Sequence, residues 1–268
     1  MLMKVSHESP ISLLSMSRSY NDFDYCLIHL CESHPAYYNF FDVSRRVYNR
    51  EILLDNSIFE LGHAFDPVKY IDWALKIQAN MIIVPDVLEN SQATRDSWTA
   101  FTKMDRYAEI PGRKIGAVQG NTWHDILECY KFMSDNADMI AISFDFSYYN
   151  ITGEGNTKLE RMCSGRQRLI NQLIDKGVWN WNKPTHLLGC SLAREFRHYV
   201  DNNIHNIVSC DTSNPVVAGI KGLRYDCDFG LSTKPSIKLA DLIDTSLDDE
   251  QIELIKYNVD QFKKIIRR

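Results

Sequence analysis

Apolar residues in this chain come in short continuous runs, and the stretches between the runs carry helical periodicity. Tyr25-Cys26-Leu27-Ile28-His29-Leu30, Ile52-Leu53-Leu54-Asp55, Met81-Ile82-Ile83-Val84-Pro85-Asp86 and Ile115-Gly116-Ala117-Val118-Gln119-Gly120 come first. Met139-Ile140-Ala141-Ile142-Ser143-Phe144, His186-Leu187-Leu188-Gly189 and Ile207-Val208-Ser209-Cys210 follow. A run that is apolar throughout, rather than at alternate positions, predicts a strand covered on both faces, the habit of parallel sheet. An eighth strand is expected near Leu223 to Phe229.

Between the runs, Asp66 followed by Pro67 reads as an N-cap with proline at the first helical position, opening a helix toward Asn80. Ser164 is expected to cap the stretch carrying Leu169, Ile170, Leu173 and Ile174, with Gly177 ending it. Ile252, Ile255, Val259, Phe262 and Ile266 fall on one face of a last helix. Strand and helix in alternation predict an α/β fold, a single (β/α)8 TIM barrel spanning 1–268 as one domain. The longest irregular stretches, 143–158 and 211–236, follow strand ends and are expected to be loops over the barrel mouth. A chain of 268 residues, 44% hydrophobic, is long enough for one such core.

Composition narrows the function classes. Lys and Arg number 30 against 35 Asp and Glu, a net charge of −5, so no overall basic surplus advertises a polyanionic partner, although a local patch would suffice for one. The seven cysteines are scattered, mostly within apolar runs, and form no CxxC pair, which points to reduced buried thiols rather than a structural zinc. His29, His63, His124, His186, His198 and His205 show no metal-ligand spacing, and no metal or cofactor is expected. No stretch approaches the roughly 20 apolar residues of a membrane span, and no apolar leader opens the chain, so a soluble cytoplasmic protein is expected.

Four strands end in polar groups: Asp55, Asp86, Gln119 and Asp211. In a parallel barrel the strand C-termini gather chemistry at one mouth, and converging carboxylates there suit acid/base or nucleophilic work on a carbon centre. Each tip has a plainer reading as well. Asp55 can cap the next element, Asp86 can make a turn, Gln119-Gly120 can be a strand-to-helix turn, and Asp211 can close an Asx-turn.

The order of the tips resembles that of the tRNA-guanine transglycosylases and their DNA-acting DpdA-type relatives, barrel enzymes that break an N-glycosidic bond. Leu54-Asp55-Asn56-Ser57-Ile58-Phe59-Glu60 is similar to that family's D-S-G-G-F-Q segment, and Val118-Gln119-Gly120 matches its V-Q-G. Cys210-Asp211 with Pro215 four residues on is similar to its F-D-C-V-L-P, and His186-Leu187-Leu188-Gly189 looks like the strand before that segment. The resemblance covers Asp55 to Pro215. It implies Asp211 as nucleophile on C1′ and Asp55 as acid/base partner, with Asp86, Gln119 and Gly120 at the base edge and Phe59 stacked on it. Base extrusion into a pocket would accompany this chemistry on a duplex.

The departures are informative. Where the family carries paired glycines in its fifth strand motif, this chain has Ser143-Phe144-Asp145-Phe146, so Ser143 and Asp145 are candidate contacts in a reshaped pocket. The family's zinc-bearing cysteine segment is missing, Cys227 standing alone, and the glycine pair of D-S-G-G-F is replaced by Ser57-Ile58. A minimal catalytic barrel acting on DNA rather than tRNA is therefore expected, with a modified nucleobase as its target and excision to an abasic site, as in anti-phage defence or repair, as the outcome. Exchange of guanine for a 7-deazaguanine base in DNA or tRNA remains the alternative, and a catalytically silent barrel that only binds nucleic acid or a nucleotide signal is a third. Among basic residues near strand ends, Arg194, Lys221 and Arg224 are candidate phosphate contacts, alongside Arg45, Arg46, Arg50, Arg161, Arg166, Arg168 and Arg197. Trp123, Tyr148 and Tyr149 are candidate stacking side chains. Oligomeric state is not encoded in any of these signals.

Overall fold

The strands that the apolar runs predict are present, and the eighth is found at the start of the chain. A computed structural model describes every residue except Met1, Asp145, Ser191, Lys234, Ser236 and Arg268. Its strands are β1 (Lys4–His7), β2 (Asp24–Leu27), β3 (Ile52–Asp55), β4 (Met81–Ile83), β5 (Arg113–Val118), β6 (Met139–Ser143), β7 (Thr185–Leu188) and β8 (Ile207–Thr212). They form one eight-stranded parallel sheet in the order β1-β8-β7-β6-β5-β4-β3-β2. With helices alternating along the chain, this is a (β/α)8 TIM barrel. No helix among the described residues is long and apolar enough to cross a membrane.

The helices are α1 (Leu14–Ser17), α2 (Ile28–Ser33), α3 (Pro35–Arg46), α4 (Ile58–Leu61), α5 (Pro67–Ile77), α6 (Ser91–Phe101), α7 (Trp123–Asn136), α8 (Ser147–Thr152), α9 (Lys158–Asp175), α10 (Glu195–Asp201), α11 (Asn214–Ile220) and α12 (Asp249–Arg267). The chain divides into two compact units, one holding residues 23–143 and the other the flanking segments up to Asp22 and from Phe144 onward.

In the central unit, β2 pairs with β3, β3 with β4, β4 with β5, and β5 with β6. The buried Tyr70 of α5 donates its hydroxyl to the carbonyls of Leu54 and Ile83, at 2.7 and 3.0 Å, and so ties the ends of β3 and β4 to one helix. Asp66 caps that helix as its sequence predicts, accepting from the Lys69 amide at 2.9 Å. The apolar run from Tyr25 to Leu30 is only half strand: β2 stops at Leu27 and α2 begins at Ile28. Ile28, Leu30 and Cys31 remain buried through the change, and a continuous apolar run cannot by itself distinguish buried strand from buried helix.

In the flanking unit, β1 pairs with β8 and β7 with β8. Leu223 to Phe229 is not a strand; its only sheet-like feature among the described residues is an isolated bridge from Asp226 to Gly230. The eighth strand escapes a hydrophobicity reading because β1 is four residues long and buries Ser6 and His7. His7 is kept neutral there, burial pushing its imidazole down to about 3 while Nδ1 lies 3.0 Å from Asn21 Oδ1. The face predicted for the last helix is the buried face of α12, where Ile255, Val259, Phe262 and Ile266 are covered. Ile255 and Val259 join Val216, Val217 and Ile220 of α11 in one apolar cluster.

Two expected loops hold more structure than the sequence suggests. The stretch 143–158 contains α8, and 211–236 contains α11. Ser164 lies inside α9 rather than at its start; the cap is Thr157, in a capping box with Glu160. Gly177 follows the helix end with φ of 67°, as expected.

One ion pair organises the end of β7. Arg166 on α9 is fully buried and meets Glu195 on α10 through two bonds, Nε to Oε1 at 2.6 Å and Nη2 to Oε2 at 3.0 Å. The same guanidinium donates to the carbonyls of Leu188 and Gly189, each at 3.0 Å, and Glu195 also accepts from the Tyr199 hydroxyl at 2.7 Å. Arg166 is therefore a structural arginine and not a phosphate contact. Replacing it with Met, which strands a buried carboxylate, is expected to cost about 3–5 kcal/mol in urea unfolding, and adding Glu195→Leu to recover part of that loss.

Candidate functional site

The strand-end residues fall into one polar group in each unit. In the flanking unit the group is built on β7 and β8. Asp211, the fifth residue of β8, is 4% exposed, and its Oδ1 accepts from the Gly189 amide at 3.1 Å and lies 2.9 Å from His186 Nε2. The other ring nitrogen of His186, Nδ1, lies 2.8 Å from Ser209 Oγ. Ser209 and Asp211 are two residues apart on one strand and so share a face, and a register shift makes His186 their neighbour. Thr185 is opposite Ile207, but His186 is opposite Ser209, so β8 carries one extra residue, Val208, across that step. A bulge of this kind re-aims side chains.

Gly189 has φ of +65°, a conformation that a side chain would strain and that glycine adopts freely. The peptide that joins Leu188 to Gly189 has both of its polar groups engaged: its carbonyl accepts from Arg166 and its N–H donates to Asp211. Thr212 then leaves the sheet with its hydroxyl on the Cys190 carbonyl at 2.8 Å and starts the turn into α11.

In the central unit the group is built on β3, β4 and β5. Asp55, the last residue of β3, accepts from the Tyr25 hydroxyl at 2.8 Å through Oδ2 and from the Ser57 amide at 2.6 Å through Oδ1. Ser57 sits in the left-handed region with φ of 59°, so the backbone makes at a serine the turn for which the resembling motif has a glycine. Asn56 donates to Asp86 Oδ1 at 2.8 Å, and Gln119 donates to Asp86 Oδ2 at 2.6 Å. The Gln119 carbonyl oxygen accepts from the Glu89 amide at 2.9 Å. Burial raises the pKa of Asp86 from its ordinary value, against the pull of the two amide donors.

Beside this group is a cavity of about 280 Å³ whose walls include Ile58, Phe65, Pro85, Asp86, Val87 and Phe101. Phe59 on α4 is 53% exposed, open enough to stack on a planar ligand. Gly120 has a packing reason for its identity: a Cβ there would come within 2.8 Å of the Ile126 amide nitrogen on α7.

The remaining candidates are more dispersed. Ser143 ends β6 and is half-buried. Asp145 lies outside the described residues. Arg194 pairs with Glu160 at 2.8 Å, Arg224 lies over the Tyr257 ring at 3.6 Å, and Lys221 is exposed after α11. Tyr149 is fully buried and Trp123 begins α7. The carboxylates of Asp226 and Asp228 and the thiol of Cys227 lie within 4.8 Å of one another on the surface, and Asp226 Oδ1 already accepts two backbone amides. Six of the seven cysteines are buried, as their apolar surroundings imply.

Sequence reasoning missed Tyr25, Asn56 and Ser209, and gave His186 no role beyond its lack of metal-ligand spacing. Asn56 and His186 lie within segments that carry the resemblance, but no pattern there singles them out, because each of the four gains its role from a neighbouring strand. In comparisons with known proteins, no family model and no curated protein matches this chain.

The raised pKa of Asp86 has a stability consequence. Its folded value lies above the ordinary 3.8, so the folded state holds the proton to higher pH than the unfolded chain, and stability falls as pH rises through that interval. Urea midpoints compared from pH 3.5 upward should show that decline in the wild type, and Asp86→Asn should flatten it; identical slopes in the two proteins would contradict the assignment.

Proposed function

We propose that this protein is a glycosylase that cleaves the N-glycosidic bond of a modified nucleobase in DNA, with Asp211 as the carboxylate at C1′ and Asp55 as its acid/base partner. The observation that carries the reading is the setting of Asp211: a buried carboxylate at a strand end, anchored through one oxygen by His186 and by the Gly189 amide. Such a group suits an oxocarbenium-like centre, which needs a fixed negative charge or a nucleophile close by. The motif order around Asp55, Gln119 and Asp211 supports the same reading by its resemblance to transglycosylases.

In this reading the bond from C1′ to the base breaks with its electron pair passing to the base. A proton from the Asp55 carboxyl neutralises the departing nitrogen, and Asp211 donates a lone pair to C1′. Water then attacks C1′ of the glycosyl ester and gives its proton to Asp55. Asp211 is freed and a hydroxyl is left at an abasic sugar. Tyr25, bonded to Asp55 Oδ2, orients the acid. Phe59 and the cavity beside Asp86 are assigned to the base, and the amides of Asn56 and Gln119 hold Asp86 in place for it. A cytoplasmic protein meeting DNA in a defence or repair setting fits this chemistry.

The test is incubation of DNA carrying candidate modified bases with the protein alone, followed by alkali treatment and mass spectrometry of released bases. Strand breaks at abasic sites are expected, and Asp211→Asn should lower their rate on the order of 10⁴-fold or more. Strict dependence on an added 7-deazapurine would instead assign base exchange. Unchanged activity in the variant, or no base released from DNA or tRNA, would overturn the proposal.

A further inference from the structure

We infer that His186 is a positioning residue that divides the labour between the two oxygens of Asp211, holding Oδ1 so that Oδ2 is the one presented to substrate. This rests on the reading of Asp211 as the reacting carboxylate. Oδ1 has two neighbours that can donate, the Gly189 amide at 3.1 Å and His186 Nε2 at 2.9 Å. Among the described residues Oδ2 has no hydrogen-bond partner. A carboxylate bonded in this way cannot rotate about its terminal torsion without losing two bonds at once, which fixes the direction of the remaining lone pairs.

The tautomer follows from the same geometry. An ionised carboxylate is acceptor-only, so the His186 nitrogen facing Asp211 must carry its proton. With a single ring proton so placed, Nδ1 is the acceptor, and the group facing it is the Ser209 hydroxyl, which can turn its proton toward the ring. Ser209, His186 and Asp211 thereby form a directed chain, serine to imidazole to carboxylate, with the serine at the end away from the reacting group. This order makes Ser209 the residue that selects the tautomer and not a nucleophile.

Two features show that the backbone is arranged to build the chain. The extra residue in β8 at Val208 brings Ser209 opposite His186, whereas regular pairing beyond Thr185 and Ile207 would put Val208 there. The second donor to Oδ1 is held from behind: Arg166 bonds the Leu188 carbonyl, the other end of the peptide whose N–H reaches Asp211. A cation on that carbonyl polarises the peptide toward donation at its N–H. The two supports of Oδ1 thus have separate origins, one in a side-chain chain on β8 and β7 and one in the buried ion pair.

The test has a spectroscopic arm and a kinetic arm, both on the full chain. In ¹⁵N-histidine NMR, His186 is expected as the Nε2–H form alone, with its ring proton slowly exchanging and shifted downfield by the carboxylate. Asp211→Asn should move that proton upfield, and Ser209→Ala should give a mixture of ring tautomers. Observation of the Nδ1–H form in the wild type, or no response to either substitution, would overturn the inference whether or not a substrate has been found. In the kinetic arm, with the DNA that the wild type cleaves, His186→Ala should lower kcat about 10²-fold with KM little changed. His186→Gln, which returns an N–H donor toward Asp211, should recover most of the loss. Equal losses in both variants, or a change confined to KM, would reject the positioning role. A wild type inactive on every DNA and tRNA with the expected tautomer pattern intact would reject the functional reading alone.

Discussion

The guanidinium of Arg166 is the contact on which the flanking unit is organised. It is fully buried, paired with Glu195 across two helices, and its remaining donors close the end of β7. A buried charge is tolerated only when its donors are satisfied, so α9, α10 and the carbonyls of Leu188 and Gly189 are held in one geometry. That geometry reaches the candidate chemistry through a single peptide, because the amide of Gly189 is one of the groups bound to Asp211. The stability of the unit and the direction of its most significant carboxylate are therefore coupled.

The central unit reaches polar satisfaction differently. Among the described residues Asp86 has no cation partner; two side-chain amides cover its oxygens, and burial still pushes its pKa upward. Neutral donors do not fully replace water around a buried carboxylate. Asp55, one strand over, is held by a phenol and by its own turn, so the two neighbouring acids are placed in distinct settings. Environments that treat two carboxyls differently are the usual basis for giving them different work. The cavity beside Asp86 and the exposed ring of Phe59 add an apolar surface suited to a flat ligand.

Much of the fold was legible because it rests on burial, and burial writes itself into composition. Runs such as Ile52 to Leu54 and Met139 to Ile142 are apolar at every position, so their assignment to parallel strands needs no tertiary information. The cap at Asp66 and the amphipathic face from Ile255 to Ile266 are likewise local. β1 was not legible, since Lys4 to His7 owes its place to pairing with β8 rather than to hydrophobicity. The turn from β2 into α2 was hidden because the same apolar residues satisfy either state.

The sequence by itself determined which strands end in carboxylates, since the position of a polar residue at the end of an apolar run is a one-dimensional fact. It also carried the motif order that suggests glycosidic chemistry. Only the tertiary structure decided what those carboxylates touch. His186 meets Asp211 from 25 residues away because β8 carries an extra residue, and Asn56 and Gln119 meet Asp86 across strand boundaries. Hydrogen bonds are made between neighbours in space, and neighbouring strands in a parallel sheet are separated in sequence by whole helices, so no local pattern can record them.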